Sequence, residues 1–201
     1  MKIHLLILSL ILFLRVSSQN LVLNPSFEDY DSCIQNLDQF RYPFIKNWIN
    51  PNMATPDLYN TCTTNPTIKP TSAFFGAQTP KTGNAYGAFV ALGDNFTINE
   101  YIEGDLNSTL NKDSIYCVKF FLNLAEKLHL PISQIGIYFS DTPIQLSTST
   151  MPFIPQLQRP TNQFFADEPN WMKWQQSYNS RGGEKYFIIG NFNVIANTKT
   201  I

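Results

Sequence analysis

The sequence predicts an all-β fold, a sandwich of antiparallel strands, and three observations carry that expectation. Apolar residues alternate at period two in several short stretches, Gly, Pro and Asn dipeptides separate those stretches, and no amphipathic helix of useful length intervenes. The composition agrees: 43% of the residues are hydrophobic and 14% aromatic, but only 14% are charged, with 13 Pro and 9 Gly. An ordinary globular domain is about 25% charged. Much of this surface is therefore built from Asn, Thr, Ser and Gln, as suits a β protein outside the cell. The length supports one domain with a single core rather than two. A formal net charge of -1 withholds the long-range attraction used by binders of nucleic acid or anionic membranes, and argues against both as partners.

The chain begins with a basic Met1-Lys2, an apolar run from Leu5 to Leu14, and small residues at Val16-Ser17-Ser18. That run falls short of the ~20 residues a spanning helix needs. Residues 1–18 are read as a cleaved secretory signal and 19–201 as one exported module, secreted or held at the cell surface. No later stretch is apolar enough to span a membrane as a helix.

After the signal, Asn20-Leu21-Val22-Leu23-Asn24-Pro25-Ser26-Phe27-Glu28 predicts an opening strand, a turn at Asn-Pro and a buried Phe27. From Tyr30 to Thr82 the chain is all punctuation, with turns at Tyr42-Pro43, Asn50-Pro51, Thr55-Pro56-Asp57 and Lys69-Pro70. A loop region of that length inside a domain usually carries function or is stapled down. Three cysteines are present. Cys33 and Cys62 lie in this turn-rich region, while Cys117 falls in an apolar run where an unpaired thiol behaves as a small hydrophobe. Cys33–Cys62 is the expected disulfide in an oxidising compartment, worth roughly 3 to 4 kcal/mol through the unfolded chain. Spacing alone leaves a pairing with Cys117 open.

Strands follow at Ala85–Leu92 and at Ile98–Glu103, the latter with an ambiguous inner face. The clearest runs from Ser114 to Leu124: Tyr116, Val118, Phe120, Leu122 and Leu124 make one apolar face. Ala125–Leu130 has room for a helical turn that Pro131 ends. Ser133–Ser140 sets Ile135, Ile137 and Phe139 on one face, and Thr148–Asp167 is an irregular excursion. Trp171–Tyr178 and Lys185–Phe192 complete the set, joined through Arg181-Gly182-Gly183-Glu184.

Blocks along the chain resemble a module found near the N-termini of Bacteroidota surface proteins. The first is Asn20-Leu21-Val22-Leu23-Asn24-Pro25-Ser26-Phe27-Glu28; Trp48, Pro51 and Thr55-Pro56-Asp57-Leu58-Tyr59-Asn60-Thr61-Cys62 form the second. Gly76-Ala77-Gln78-Thr79-Pro80 with Gly83-Asn84-Ala85-Tyr86-Gly87, then Glu100-Tyr101-Ile102 with Tyr116, Val118 and Phe120, and finally Gly182-Gly183-Glu184 to Phe192, follow in order. The resemblance implies a galactose-binding-like jelly roll. It also implies downstream domains of the same polypeptide, of the OmpA-like or type IX sorting kind. The family's final strand, ending in an Asp-Asp-Val-like sequence, has no counterpart before Ile201, so the expected jelly roll lacks it. In carbohydrate-binding modules of this shape the Glu of an Asn-x-x-Phe-Glu start often helps hold a structural calcium; Glu28 stands there, with a loop amide as the competing partner.

Little in the residues points to catalysis. The mature chain has a single histidine, His129, with no Gly-x-Ser-x-Gly and no zinc-ligand spacing. A glycosidase-like carboxylate pair would have to come from Glu28, Asp57, Glu100, Glu103, Asp141, Glu168 and Glu184, expected mostly at surfaces and turns. Sugar recognition instead asks for flat aromatic faces rimmed by hydrogen-bonding side chains. Tyr101 and Trp171 are expected to be exposed, with Tyr59 and Gln78 beside them, while Trp48 and Trp174 are expected in the core. The expected function is a non-catalytic module recognising a glycan or another cell-envelope component; the alternative is a structural spacer in a larger envelope protein. Asn95-Phe96-Thr97 and Asn107-Ser108-Thr109 match the N-glycosylation sequon, and Asp113-Ser114-Ile115 matches the resembled family's O-glycosylation pattern.

Overall fold

A computed structural model describes residues 19–93, 99–127 and 130–201. Residues 1–18, on which the signal expectation falls, His129 and the sequon at Asn95 lie outside the described residues. The strands are β1 (Trp48–Ile49), β2 (Asp57–Asn60), β3 (Ala85–Ala88), β4 (Tyr101–Asp105), β5 (Ile115–Leu122), β6 (Ile135–Ser140), β7 (Leu157–Gln158), β8 (Met172–Asn179) and β9 (Tyr186–Asn191). They form a five-stranded sheet in the order β1-β4-β9-β6-β7 and two two-stranded ribbons, β2-β3 and β5-β8. Every pairing is antiparallel.

The ribbons and the sheet share one core. Phe139 of β6 stacks on Tyr178 of β8 with centroids 4.3 Å apart, and Trp48 of β1 meets Phe187 of β9 edge to face. Phe27 and Phe40 close around the same indole. Trp48 and Trp174 are core residues, as expected. On β5 the alternation holds: Tyr116, Val118, Phe120 and Leu122 turn toward the core while Ile115, Cys117 and Lys119 face out. Full burial of such a side chain stabilises a fold by about 1.5–3 kcal/mol, and these partly buried ones contribute a fraction of that.

The other face of the five-stranded sheet is covered too. Tyr101, Ile188 and Phe192 pack against Met151, with Ile144, Leu146 and Phe153 alongside. Residues 144–153 thus form a strap without regular structure across that face. It is pinned by polar bonds: Ile144 N donates to the Glu103 carboxylate, Leu146 N donates to Pro51 O, and Met151 N donates to the Tyr101 hydroxyl.

The start of the module differs from the expected strand. A single antiparallel bridge joins Val22 to Leu106, after which Asn24 and Phe27 take positive φ and reverse the chain. Pro25 has no N–H to offer a ladder. The tie comes instead from Asn24, whose amide donates to Asp29 O and Lys46 O and whose Oδ1 accepts Asp29 N–H. Trp48 Nε1 donates to Asn24 O at 2.9 Å.

Cys33 and Cys62 are bonded, with Cα atoms 6.0 Å apart. Cys117 is free and exposed rather than packed as a small hydrophobe, because it shares the outward parity of Ile115 and Lys119 on β5.

Candidate functional site

A concave pocket of about 160 Å³ opens between the β2-β3 ribbon, the 75–78 loop, the end of β5 with the turn after it, and Trp171. Its scaffold starts from a cross-strand pair. Tyr59 of β2 lies directly opposite Tyr86 of β3, and their rings stack with centroids 5.1 Å apart at 25°. Trp171 meets Tyr86 at 71° and 5.6 Å. Its orientation is fixed by a hydrogen bond from Nε1 to Thr79 O at 2.8 Å. The result is a corner of two rings standing nearly perpendicular, backed by a third.

Two loops close the corner and are tied together. Lys127 N donates to Phe75 O, and Lys127 Nζ donates to Phe74 O at 2.9 Å. Gly76 makes the close approach possible: at φ +140° a Cβ there would sit 2.8 Å from Glu126 N. On the opposite side Asn123 Nδ2 donates to Asp167 O and Asn170 O, anchoring the segment that leads into Trp171.

Polar groups in the pocket are few. Gln78 Oε1 accepts the Thr79 N–H at 3.0 Å, while its Nε2 is buried without a hydrogen-bond partner. An unpaired buried amide donor costs about 1–3 kcal/mol. Glu126 is exposed at the rim, and after burial itself its charge is what raises the Tyr86 hydroxyl above its usual titration range. Burial, then the Asp57 carboxylate, raises the Tyr59 hydroxyl likewise, although no hydrogen-bonding geometry links the two. Both phenols stay protonated at physiological pH.

Three of the four residues expected at a sugar contact, Tyr59, Gln78 and Trp171, line this pocket. Tyr101 does not. It is 0% exposed beneath the 144–153 strap, donating to Asn191 O at 2.5 Å and accepting from Met151 N, so the expected exposure of this ring is overturned. Tyr59 is 1% exposed and acts as the backing of Tyr86 rather than as a platform. Tyr86 is the ring that stands forward. It belongs to the aromatic residues of the strand pattern; Glu126, Asn123, Phe75 and Phe121 carry no local signal in the sequence, because their loops come together only through tertiary contacts.

The carboxylates are not at surfaces, as expected of them, in four positions: Asp57, Glu100, Glu103 and Glu184 are all buried. Each holds loop backbone. Asp57 accepts Asp38 N–H, Glu100 accepts from Val90 N and Thr55 N, and Glu103 accepts from Ile144 N. Glu184 accepts from Tyr178 Oη at 2.5 Å, Ser180 Oγ and Arg181 N. Burial opposes the charge on Glu184, yet these donors hold its carboxyl below the usual range. Burial dominates at the others, raising Asp57 to about 6 and Glu103 to about 7.

Glu28 accepts N–H from Asn84 at 2.7 Å and from Ala85 at 3.0 Å through one oxygen, and from Asn84 Nδ2 through the other. Calcium asks for six to eight oxygen ligands. At Glu28 the loop amides, the competing partner, take up the carboxylate; among the described residues no three His, Cys, Asp or Glu side chains converge on one position.

No protein-family model matches the chain, and no curated protein resembles it significantly.

Proposed function

We propose that the exported chain is a non-catalytic binding module that recognises carbohydrate at the cell surface or in the cell envelope, through the pocket framed by Tyr86, Trp171 and Gln78. The convergence of Tyr59, Gln78 and Trp171 on one cavity carries the reading. The cavity is close in volume to the ~150 Å³ that holds one benzene-sized ring, which suits one ring of a glycan. Perpendicular aromatic faces suit a pyranose, which offers C–H groups to one ring and hydroxyls to its rim. Glycoside hydrolysis needs two carboxyl groups flanking the bond. Among the described lining residues Glu126 is the one carboxylate, which favours binding over turnover. The Cys33–Cys62 bond suits an oxidising compartment.

The test is a glycan array with purified residues 19–201, followed by titration of any ligand found. Trp171→Ala should lower affinity about two- to tenfold, since contact with one ring contributes about 0.5–1.5 kcal/mol, while leaving the melting temperature within a few degrees. Silence across plant, animal and bacterial glycans would remove the reading.

A further inference from the structure

We propose that residues 144–153 are a detachable cover, latched to the five-stranded sheet through Glu103, that leaves the sheet's outer face as the solution becomes more alkaline. The device lies on the face turned away from the pocket and is independent of the carbohydrate reading.

The strap is the connection between β6 and β7, so it is tethered at both ends. Pro143, Pro152 and Pro155 have no N–H to give a ladder, and the segment crosses the sheet without joining it. At its far end Gln156 brackets the backbone of Phe139, accepting its N–H at 2.8 Å and donating to its carbonyl at 3.1 Å. The apolar contacts beneath the strap form a cluster of their own, in which Ile144, Leu146 and Met151 meet Tyr101, Ile188 and Phe192, apart from the main core. Lifting the strap therefore uncovers rings without opening the sandwich. Closure also leaves the Thr148 hydroxyl buried with no hydrogen-bond partner, a cost that water relieves once the strap is away. A segment with few apolar contacts and no ladder is the kind that opens locally, below the free energy of global unfolding.

Glu103 ties this opening to pH. Its side chain is 0% exposed, and its carboxylate straddles one donor, the Ile144 N–H at the head of the strap, 3.2 and 3.1 Å from the two oxygens. Glu184, equally buried, accepts from Tyr178, Ser180 and Arg181. A buried carboxylate served by a single N–H favours its neutral form. Burial, opposed by the Ile144 N–H and reinforced by the Asp105 charge, raises Glu103 to about 7 from the ordinary 4.5. With the strap lifted, water reaches the carboxyl and restores the ordinary value. The closed form thus holds a proton that the open form releases, so this contribution to closure is whole below about pH 4.5 and is lost as pH rises to about 7.

The strap brings no titrating group of its own, since no side chain from Thr142 to Gln158 is ionisable. On the sheet, strand parity and register set Tyr101 and Asp105 of β4, Tyr186 of β9 and Tyr138 of β6 on the same face as Glu103, and β1 places Ile49 opposite it. Asp105 is itself raised by burial, with the Lys185 charge opposing. It pushes the same way as Glu103, so the two must be separated by substitution.

Hydrogen exchange of the purified module over a pH series, with each rate divided by the intrinsic rate at that pH, is the test. Protection at the Ile144, Leu146 and Met151 amides should be lower than at the amides of β9. It should fall at all three together, by roughly tenfold to a hundredfold between pH 5 and pH 8. Glu103→Gln stays neutral at every pH and should hold the strap's protection within about threefold over that range, whereas Asp105→Asn should keep the wild-type fall. Strap amides that exchange only together with β9, or whose protection does not change with pH in the wild-type chain, overturn the proposal. So does a Glu103→Gln variant that falls as steeply as the wild type, which assigns the effect to Asp105 or another group.

Discussion

The Glu28 carboxylate reaches across 56 positions of chain to accept the Asn84 N–H at 2.7 Å, and in doing so it presses against Gly83, where a Cβ would lie 2.4 Å from Glu28 Oε1. The turn into β3 is thereby built around one side chain and one missing side chain. Gly83 sits at φ +64°, a region that costs an L-residue about 1–2 kcal/mol. Glu28→Ala should destabilise the module by about 1–2 kcal/mol, because two charge-assisted bonds to backbone N–H groups are lost at a solvent-accessible site. Gly83→Ala should cost at least as much, through strain and the clash together. Chemical denaturation of the two variants measures both. Wild-type stability in Glu28→Ala would show that this contact does not hold the turn.

Stability should depend on pH through Asp57 and Glu103. Their folded values, about 6 and about 7, stand above the ordinary 3.8 and 4.5 because burial disfavours the charged forms. The native state keeps protons there that the unfolded chain releases. The stability each contributes is complete below about pH 4 and is lost as pH rises through about 6 and 7. The melting temperature should therefore fall from pH 5 toward pH 7.5, and Asp57→Asn with Glu103→Gln should flatten that decline. Glu184 runs the other way: its lowered value makes a contribution that is present above the ordinary range and lost on acidification, so the double variant isolates the first effect. An unchanged slope in the double variant would assign the decline to other groups.

Tyr101→Phe should cost about 1–3 kcal/mol, since it leaves Asn191 O without a donor and Met151 N–H without an acceptor in a buried place. The loss should be local. Hydrogen exchange at the Met151 amide should rise strongly while the pocket at Trp171 keeps its ligand affinity. A fall in affinity would tie the strap to the site.

Cys117 should react with a maleimide or an aromatic disulfide in the native protein, with one equivalent modified, because its side chain is exposed on the outer face of β5. Cys33 and Cys62 should stay unreactive until reductant is added. Reduction should then lower stability by about 3 to 4 kcal/mol, the value for a closed loop of roughly thirty residues. Mass spectrometry after labelling distinguishes the sites, and labelling at Cys33 before reduction would refute the pairing.

Period-two alternation makes β5, β6 and β8 readable from residue types alone, and Trp48 and the Cys33–Cys62 bond follow from their settings. The same parity places Cys117 outward, on the face of Ile115 and Lys119; the apolar run around it is a weaker guide than the face it occupies. Tyr101 defeats a reading from sequence because its cover, residues 144–153, has no regular structure and hence no period to read. The buried carboxylates are illegible for a related reason. Asp57, Glu100 and Glu103 are compatible with the interior only because distant loop N–H groups reach them, and no local spacing announces such partners. Of the pocket, the aromatic residues and Gln78 are visible in sequence; Glu126 enters through the packing of its turn against Gly76.

The outward face of β5 carries Cys117 and, four residues on, Phe121 at the pocket wall. At about 3.3 Å per residue that separation is about 13 Å. A fluorophore coupled to the native thiol would sit close enough to the cavity for its emission to report changes there, so the protein comes with its own attachment point for an optical probe, one that needs no engineered residue.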